Sequence, residues 1–160
     1  MRKAGAFTLI EMIAVIAIVA IIVAVGIPAM SGLTRAQGLQ GGVRQISNAA
    51  ELARQFAITH RMQAELRIQT PNYTAFSVFT NNWQMDKWSN LPIGVVVDPT
   101  LSQLSSPSSI FFKPTGNLVS VSDQIIVVRA GIYTNGALVG TSGNMSTVLV
   151  SSVLGRVTIQ

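Results

Sequence analysis

The chain has 160 residues, the length of one domain. Hydrophobic residues make up 49% and charged residues only 11%, against roughly 25% charged in ordinary soluble domains. With no cysteine and one histidine, disulfides, thiolate zinc sites, iron–sulfur centres and His-rich metal sites are excluded, and the formal charge of +5 implies a basic surface patch at most, since loss of Arg2 and Lys3 with a leader leaves nine bases against six acids, +3.

The excess hydrophobicity belongs to one segment. Met1-Arg2-Lys3 is a positive cluster, residues 12–34 carry no charged side chain, and 12–27 are apolar apart from Gly26. As a helix, 12–27 spans roughly 24 Å and an extension to 34 about 35 Å, enough for a bilayer. The positive-inside rule leaves Arg2 and Lys3 in the cytoplasm and sends the rest of the chain across. Ile, Val and Ala predominate over Leu, which favours close helix–helix packing through the small residues. Gly26 and Pro28 are expected to loosen or break this helix.

Glu11 is the anomaly of the segment. A carboxylate in an apolar span costs about 2.5–3.5 kcal/mol at the bilayer centre and less near an interface. No base lies within helical reach on its C-terminal side, so its natural partner is an α-amino group created by cleavage, its own or a neighbour's. Two plainer readings stay beside this one: a secretory signal peptide cut after Ala29, and an uncut single-pass anchor. Glu11 inside the apolar core and a helical pattern that continues past Ala29 speak against the first.

From residue 31 the pattern becomes amphipathic. Leu39, Val43, Ile46, Ala50, Ala53 and Ala57 recur in steps of three and four, with Phe56 flanking the stripe and Arg35, Arg44, Glu51, Arg54 and Arg61 on other faces. This predicts a helix over 31–62, weakest at Gly38 and Gly41-Gly42, whose apolar stripe packs on a sheet. Strand patterns follow at 64–69, 73–79, 93–97, 109–113, 118–121, 125–133, 147–152 and 156–159, with a Ser-rich loop at 101–109 and Asn135-Gly136 as the best hairpin turn. The expected fold class is α+β, a long N-terminal helix packed on a mostly antiparallel β-sheet domain.

No catalytic constellation and no cofactor site emerge, and the chain is not expected to be an enzyme. His60 reads as a surface or boundary residue, and Asp86, Asp98 and Asp123 stand apart from one another, without support for a calcium site. Trp83 and Trp88 are either buried against the core or helix, or a partner-binding surface.

Ala6-Phe7-Thr8-Leu9-Ile10-Glu11 resembles a prepilin processing site, in which a short basic leader ends in a small residue before a Phe and Glu is fifth in the mature chain. The usual Gly before the cut is Ala6 here. The resemblance implies a leader over 1–6, a transmembrane and filament-core helix over 7–30, an amphipathic helix over 31–62 and a periplasmic β domain over 63–160. It further implies cleavage between Ala6 and Phe7 by a prepilin peptidase, N-methylation of Phe7, and pairing of Glu11 with a mature N-terminal amine on assembly. Leu52-Ala53-Arg54, the 64–68 strand, Phe112-Lys113-Pro114-Thr115-Gly116 and Gly155-Arg156-Val157-Thr158-Ile159 resemble the GspH/FimT group of minor pilins and pseudopilins. That group implies a structural subunit, either a minor pseudopilin of a type II secretion system or a minor pilin of a type IV pilus. Its partners would be other pilins or pseudopilins and an inner-membrane assembly platform, and its place the bacterial inner membrane with the C-terminal domain in the periplasm. DNA-binding members have a second Arg two places after the one at Arg156. This chain has Thr158 there, so a weak DNA contact at Arg156 is the minority reading.

Overall fold

One helix, α1 (Leu9–His60), occupies the first third of the chain and carries two different surfaces. The computed structural model describes residues 8–104, 106, 108–134, 137–139 and 143–160, with the side chains of 25–35 and 134 outside that description. The leader 1–6, the Ala6–Phe7 bond and the Asn135-Gly136 dipeptide therefore lie outside the described residues, as do the side chains at Gly26 and Pro28. The backbone of α1 is helical through Gly26 and Pro28, so neither ends it. A proline inside a helix removes one hydrogen bond and kinks before it breaks. The chain divides into two units, Met1–Arg35 and Ala36–Gln160.

The second unit holds the core. Along α1 the predicted stripe is buried, with Ile46, Ala50, Ala53 and Ala57 fully so. Alanines at this spacing give the helix a flat face on which strands approach closely. Burial of Ile46 alone contributes roughly 1.5–3 kcal/mol. The helix ends at His60 by a Schellman motif, in which Met62 N–H donates to Ala57 O and Arg61 N–H to Ile58 O. Arg61 takes the left-handed position with φ of 50°, a place where glycine is usual.

Eleven strands follow among the described residues: β1 (Ala64–Ile68), β2 (Ala75–Thr80), β3 (Trp83–Gln84), β4 (Ser89–Asn90), β5 (Val95–Val97), β6 (Ser109–Phe112), β7 (Gln124–Ala130), β8 (Ile132–Thr134), β9 (Ala137–Val139), β10 (Met145–Val150) and β11 (Val157–Ile159). All pair antiparallel. A first sheet has the order β3-β2-β1-β6, with β4 also on β2, and a second the order β11-β10-β7-β5; β8 and β9 form a ribbon. In the first sheet Leu66 lies opposite Val78 and Ile110, and in the second Ile126 lies opposite Val148. These side chains and the α1 stripe make one core, which is complete within residues 36–160. That unit therefore has what it needs to fold by itself.

The α+β expectation holds, with local differences. Residues 118–121 do not form a strand: Leu118 makes one bridge to Phe112, and beyond it the Ser120 and Ser122 hydroxyls bond each other and Ser120 Oγ accepts Ser122 N–H, which competes with a ladder. The expected 125–133 strand is interrupted at Gly131, whose Cβ would meet Leu138 Cδ1 at 3.1 Å. Asn81 and Asn82 have φ of 47° and 66°, the two-residue hairpin geometry that creates the short β3.

Candidate functional site

At the N-terminal end, Thr8 caps α1. Its N–H and hydroxyl reach Glu11 Oε2 at 3.4 and 3.5 Å, and Glu11 N–H returns to Thr8 Oγ1 at 3.4 Å. This is a capping box, long at an exposed helix end. It gives Glu11 a partner inside its own chain, which the sequence reading overlooked although Thr-x-x-Glu is its signature. A cut between Ala6 and Phe7 leaves the box intact. The side chains from Thr8 to Ala24 are all exposed, including the large aliphatics Leu9, Ile13, Ile16 and Ile21. A helix apolar on every side belongs in lipid or among other helices. Among the described residues, no helix is long and apolar enough to cross a membrane.

A second locus gathers three distant sequence motifs. Arg54 Nε–H donates to Gly116 O at 3.2 Å, and Arg54 Nη1–H to Glu51 Oε1 at 3.1 Å. Gly155 packs on the same carbonyl so closely that a Cβ there would sit 1.8 Å from Gly116 O. Gly116 has φ of 86°, and a Cβ on it would meet Ile58 Cδ1 at 2.8 Å. Leu52-Ala53-Arg54, Phe112–Gly116 and Gly155–Ile159 thus converge in a clasp that ties the last strand to the end of α1. Its glycines are required by space as well as by φ, at 86° and 61°.

The outer face of the first sheet carries a charged and aromatic row. Glu65 accepts from Arg67 Nε–H and Nη2–H at 2.8 and 2.6 Å and from Ser109 Oγ–H at 2.6 Å. Arg67 lies 4.2 Å from the Phe79 ring centroid, and Phe79 meets Trp88 edge-on at 5.9 Å. Burial works against the Glu65 charge, but the Arg67 and Ser109 hydrogen bonds outweigh it and hold the carboxyl below its ordinary value. In the second sheet Asp98 behaves alike. Burial opposes its charge, while bonds from Thr100, Arg129 and the Thr100 and Leu101 N–H groups lower its pKa. Asp123 is lowered by accepting Ser152 N–H at 2.6 Å.

The tryptophans diverge. Both are exposed, Trp88 by 38% within the row above and Trp83 on β3 by 77%, where it lines an open apolar groove with Met62 and Met85. Arg156 is exposed beside the clasp. His60 stacks on Phe56 with ring centroids 5.6 Å apart. Asp98 and Asp123 are committed to the contacts given, and among the described residues no three His, Cys, Asp or Glu side chains gather as metal ligands.

Residues 1–27 match the prokaryotic N-terminal methylation motif. No curated protein matches the chain in sequence. Among solved structures, it is similar to the type IV minor pilin FimU of Pseudomonas aeruginosa strain PAO1 at 12% identity, over 80% of this chain and 92% of that one, with a TM-score of 0.57. A second crystal form of FimU gives 12% identity, 76% and 92% coverage and 0.55. The minor pseudopilin EpsH of the type 2 secretion system of Vibrio cholerae gives 14% identity, 76% and 95% coverage and 0.52. The chain thus joins a prepilin-type N-terminus to a minor-pilin fold.

Proposed function

We propose that this chain is a minor subunit of a type IV pilin-like filament, and that the filament is the periplasmic pseudopilus of a type II secretion system. The observation that carries the first part is the presence in one chain of the N-terminal methylation motif and the minor-pilin fold. Its role is structural, with no catalysis. A prepilin peptidase cuts Ala6–Phe7 at the cytoplasmic face and methylates the Phe7 amine. The apolar helix holds the subunit in the inner membrane with residues 63–160 in the periplasm. On delivery by the assembly platform, that helix leaves lipid and bundles with those of other pseudopilins. Glu11 then pairs with a mature amine, its charge compensated in a low-dielectric core, while Thr8 keeps the helix start fixed.

The second reading is a minor pilin of a type IV pilus, supported by the likeness to FimU (TM-score 0.57, 12% identity) much as the first is by that to EpsH (0.52, 14%). DNA uptake is a minor part of it, because Arg156 stands without a second Arg at Thr158 where phosphate binding needs several charges. Mass spectrometry of the mature N-terminus tests processing. Methyl-Phe7 is the expected result; an N-terminus at Met30 indicates a signal peptide and one at Met1 an uncut anchor, and either overturns the reading. The machine served is decided by the neighbouring genes, where secretin, secretion ATPase and further pseudopilins are expected.

A further inference from the structure

The end of α1 and the β2–β3 hairpin border a groove whose lining is rich in soft donor atoms. Thr80 pairs with Ala64 on one side and with Trp83 on the other, so Trp83 shares the helix-facing side of the first sheet with the buried Ala64. Met85 N–H donates to Val78 O at 2.8 Å, which continues the pairing and keeps Met85, two residues on, on the side of Trp83. His60 ends α1, and left-handed Arg61 turns the chain so that Met62 joins His60 in the groove. His60, Met62, Trp83 and Met85 line it with Thr80 and Asn81. They are the one histidine of the chain, two of its three methionines beyond residue 35 and one of its two tryptophans.

Methionine beside an aromatic ring is ordinary in a core, where burial rewards both. Here they stay open to solvent: Met62 is 42% exposed, Met85 38% and Trp83 77%. The His60 ring is stacked on Phe56 with centroids 5.6 Å apart, which fixes its plane beside the groove. Thioether sulfur is a soft donor that favours Cu(I), and imidazole suits copper as well. The electron-rich face of an indole adds attraction for a cation. Methionine is unbranched, with three rotatable bonds, so both sulfurs can turn to one point between the helix end and the hairpin. Among the described residues no carboxylate lines the groove. That removes the oxygen anions on which calcium and magnesium depend and leaves zinc short of its usual four ligands. Arg61, the cation between His60 and Met62, lines the neighbouring hollow with Glu65 and Phe111 instead.

We propose that His60, Met62 and Met85 form a binding site for a soft monovalent cation, Cu(I), with the Trp83 indole against the ion. The bound ion ties the β2–β3 hairpin to the last turn of α1. The site binds the ion without a redox step and holds for either filament.

Ag(I) is the first probe, since it has the same charge and softness and keeps its oxidation state in air. Residues 36–160, free of any tag, are titrated with silver nitrate in chloride-free buffer, and with Cu(I) buffered by bicinchoninate under ascorbate. A single equivalent is expected to bind, to quench tryptophan emission and to raise the melting temperature. The methyl signals of Met62 and Met85 should shift, and that of Met145 should not. Met62→Leu, Met85→Leu and His60→Phe are each expected to weaken binding about tenfold or more, with unchanged circular dichroism because all three side chains are exposed. Met145→Leu should leave affinity as it was, and Zn(II) should not displace the ion. Failure of both Ag(I) and Cu(I) to bind would leave the groove an apolar surface and overturn the proposal. Binding that survives the combined Met62→Leu and Met85→Leu variant, or that yields to Zn(II), would overturn it equally. N-terminal processing is read separately by mass spectrometry.

Discussion

The two apolar parts of α1 obey different rules. Between Leu9 and Ala24 apolar residues point in every direction and all are exposed; between Leu39 and Ala57 they form one stripe, buried to the last atom at Ile46, Ala50 and Ala53. The second part is specified by its own chain, because two sheets complete it. The first finds no packing partner among the described residues. Mutations in the two parts should accordingly be read by different assays, one of folding and one of assembly.

The largest effect is expected from Gly155→Ala. Its Cβ would overlap Gly116 O at a backbone φ that non-glycine residues resist, so a loss of about 4 kcal/mol or more, or failure to fold, is expected in denaturant unfolding. The comparison itself is tested by a pair. Ile46→Ala should lower the stability of residues 36–160 by about 2–5 kcal/mol through the cavity it leaves. Ile16→Ala in the full chain should leave the unfolding of the domain within about 0.5 kcal/mol of the parent; a larger loss would break the distinction between the two regions.

Next come the assembly variants. Glu11→Ala should leave expression and membrane insertion intact but cut incorporation into sheared filaments tenfold or more, about 1.4 kcal/mol. Glu11→Gln sharpens this, because a glutamine still closes the capping box while carrying no charge. Normal incorporation of the Gln variant would reduce Glu11 to a cap.

Smaller effects follow from titration and from the helix end. Glu65 and Asp98 have lowered folded pKa values, so their stabilisation is complete above the ordinary carboxyl values of 4.5 and 3.8 and is lost as pH falls through the lower folded values. The melting temperature should therefore fall below about pH 4, and Asp98→Asn should flatten part of that decline. Arg61→Gly should raise stability by about 0.5–1 kcal/mol, by relieving the left-handed residue that closes the helix.

Much of this was legible in the sequence. The stripe from Leu39 to Ala57, most strands and the α+β class follow from periodicity, since a 3.6-residue or two-residue repeat is set by local geometry. What stayed hidden depends on contacts between distant residues. Gly155 and Gly116 look like ordinary turn residues until their backbones meet, and Arg54 looks like a solvated charge until its Nε–H finds Gly116 O. Glu65 and Arg67 read as the exposed half of an alternating strand, yet Glu65 is buried in its bonds to Arg67 and Ser109. The Thr8–Glu11 box was legible and was overshadowed by the processing motif that contains it.

Gly38, Gly41 and Gly42 have a consequence of another kind. A Cβ on Gly42 would lie 2.9 Å from Val95 Cγ1, one on Gly38 3.7 Å from Val95 Cγ2 and 3.8 Å from Pro92 Cβ, and one on Gly41 3.7 Å from Pro92 Cγ. Three glycines forgo roughly 3 kcal/mol of helical preference relative to alanine, so this turn is helical because residues 91–95 lie against it. As the chain is synthesised from its N-terminus, those residues emerge roughly fifty positions later, a contact of high sequence separation. The apolar start of α1 is thus synthesised while this turn is still unsupported, and the turn is secured only when the domain that carries residues 91–95 closes on it.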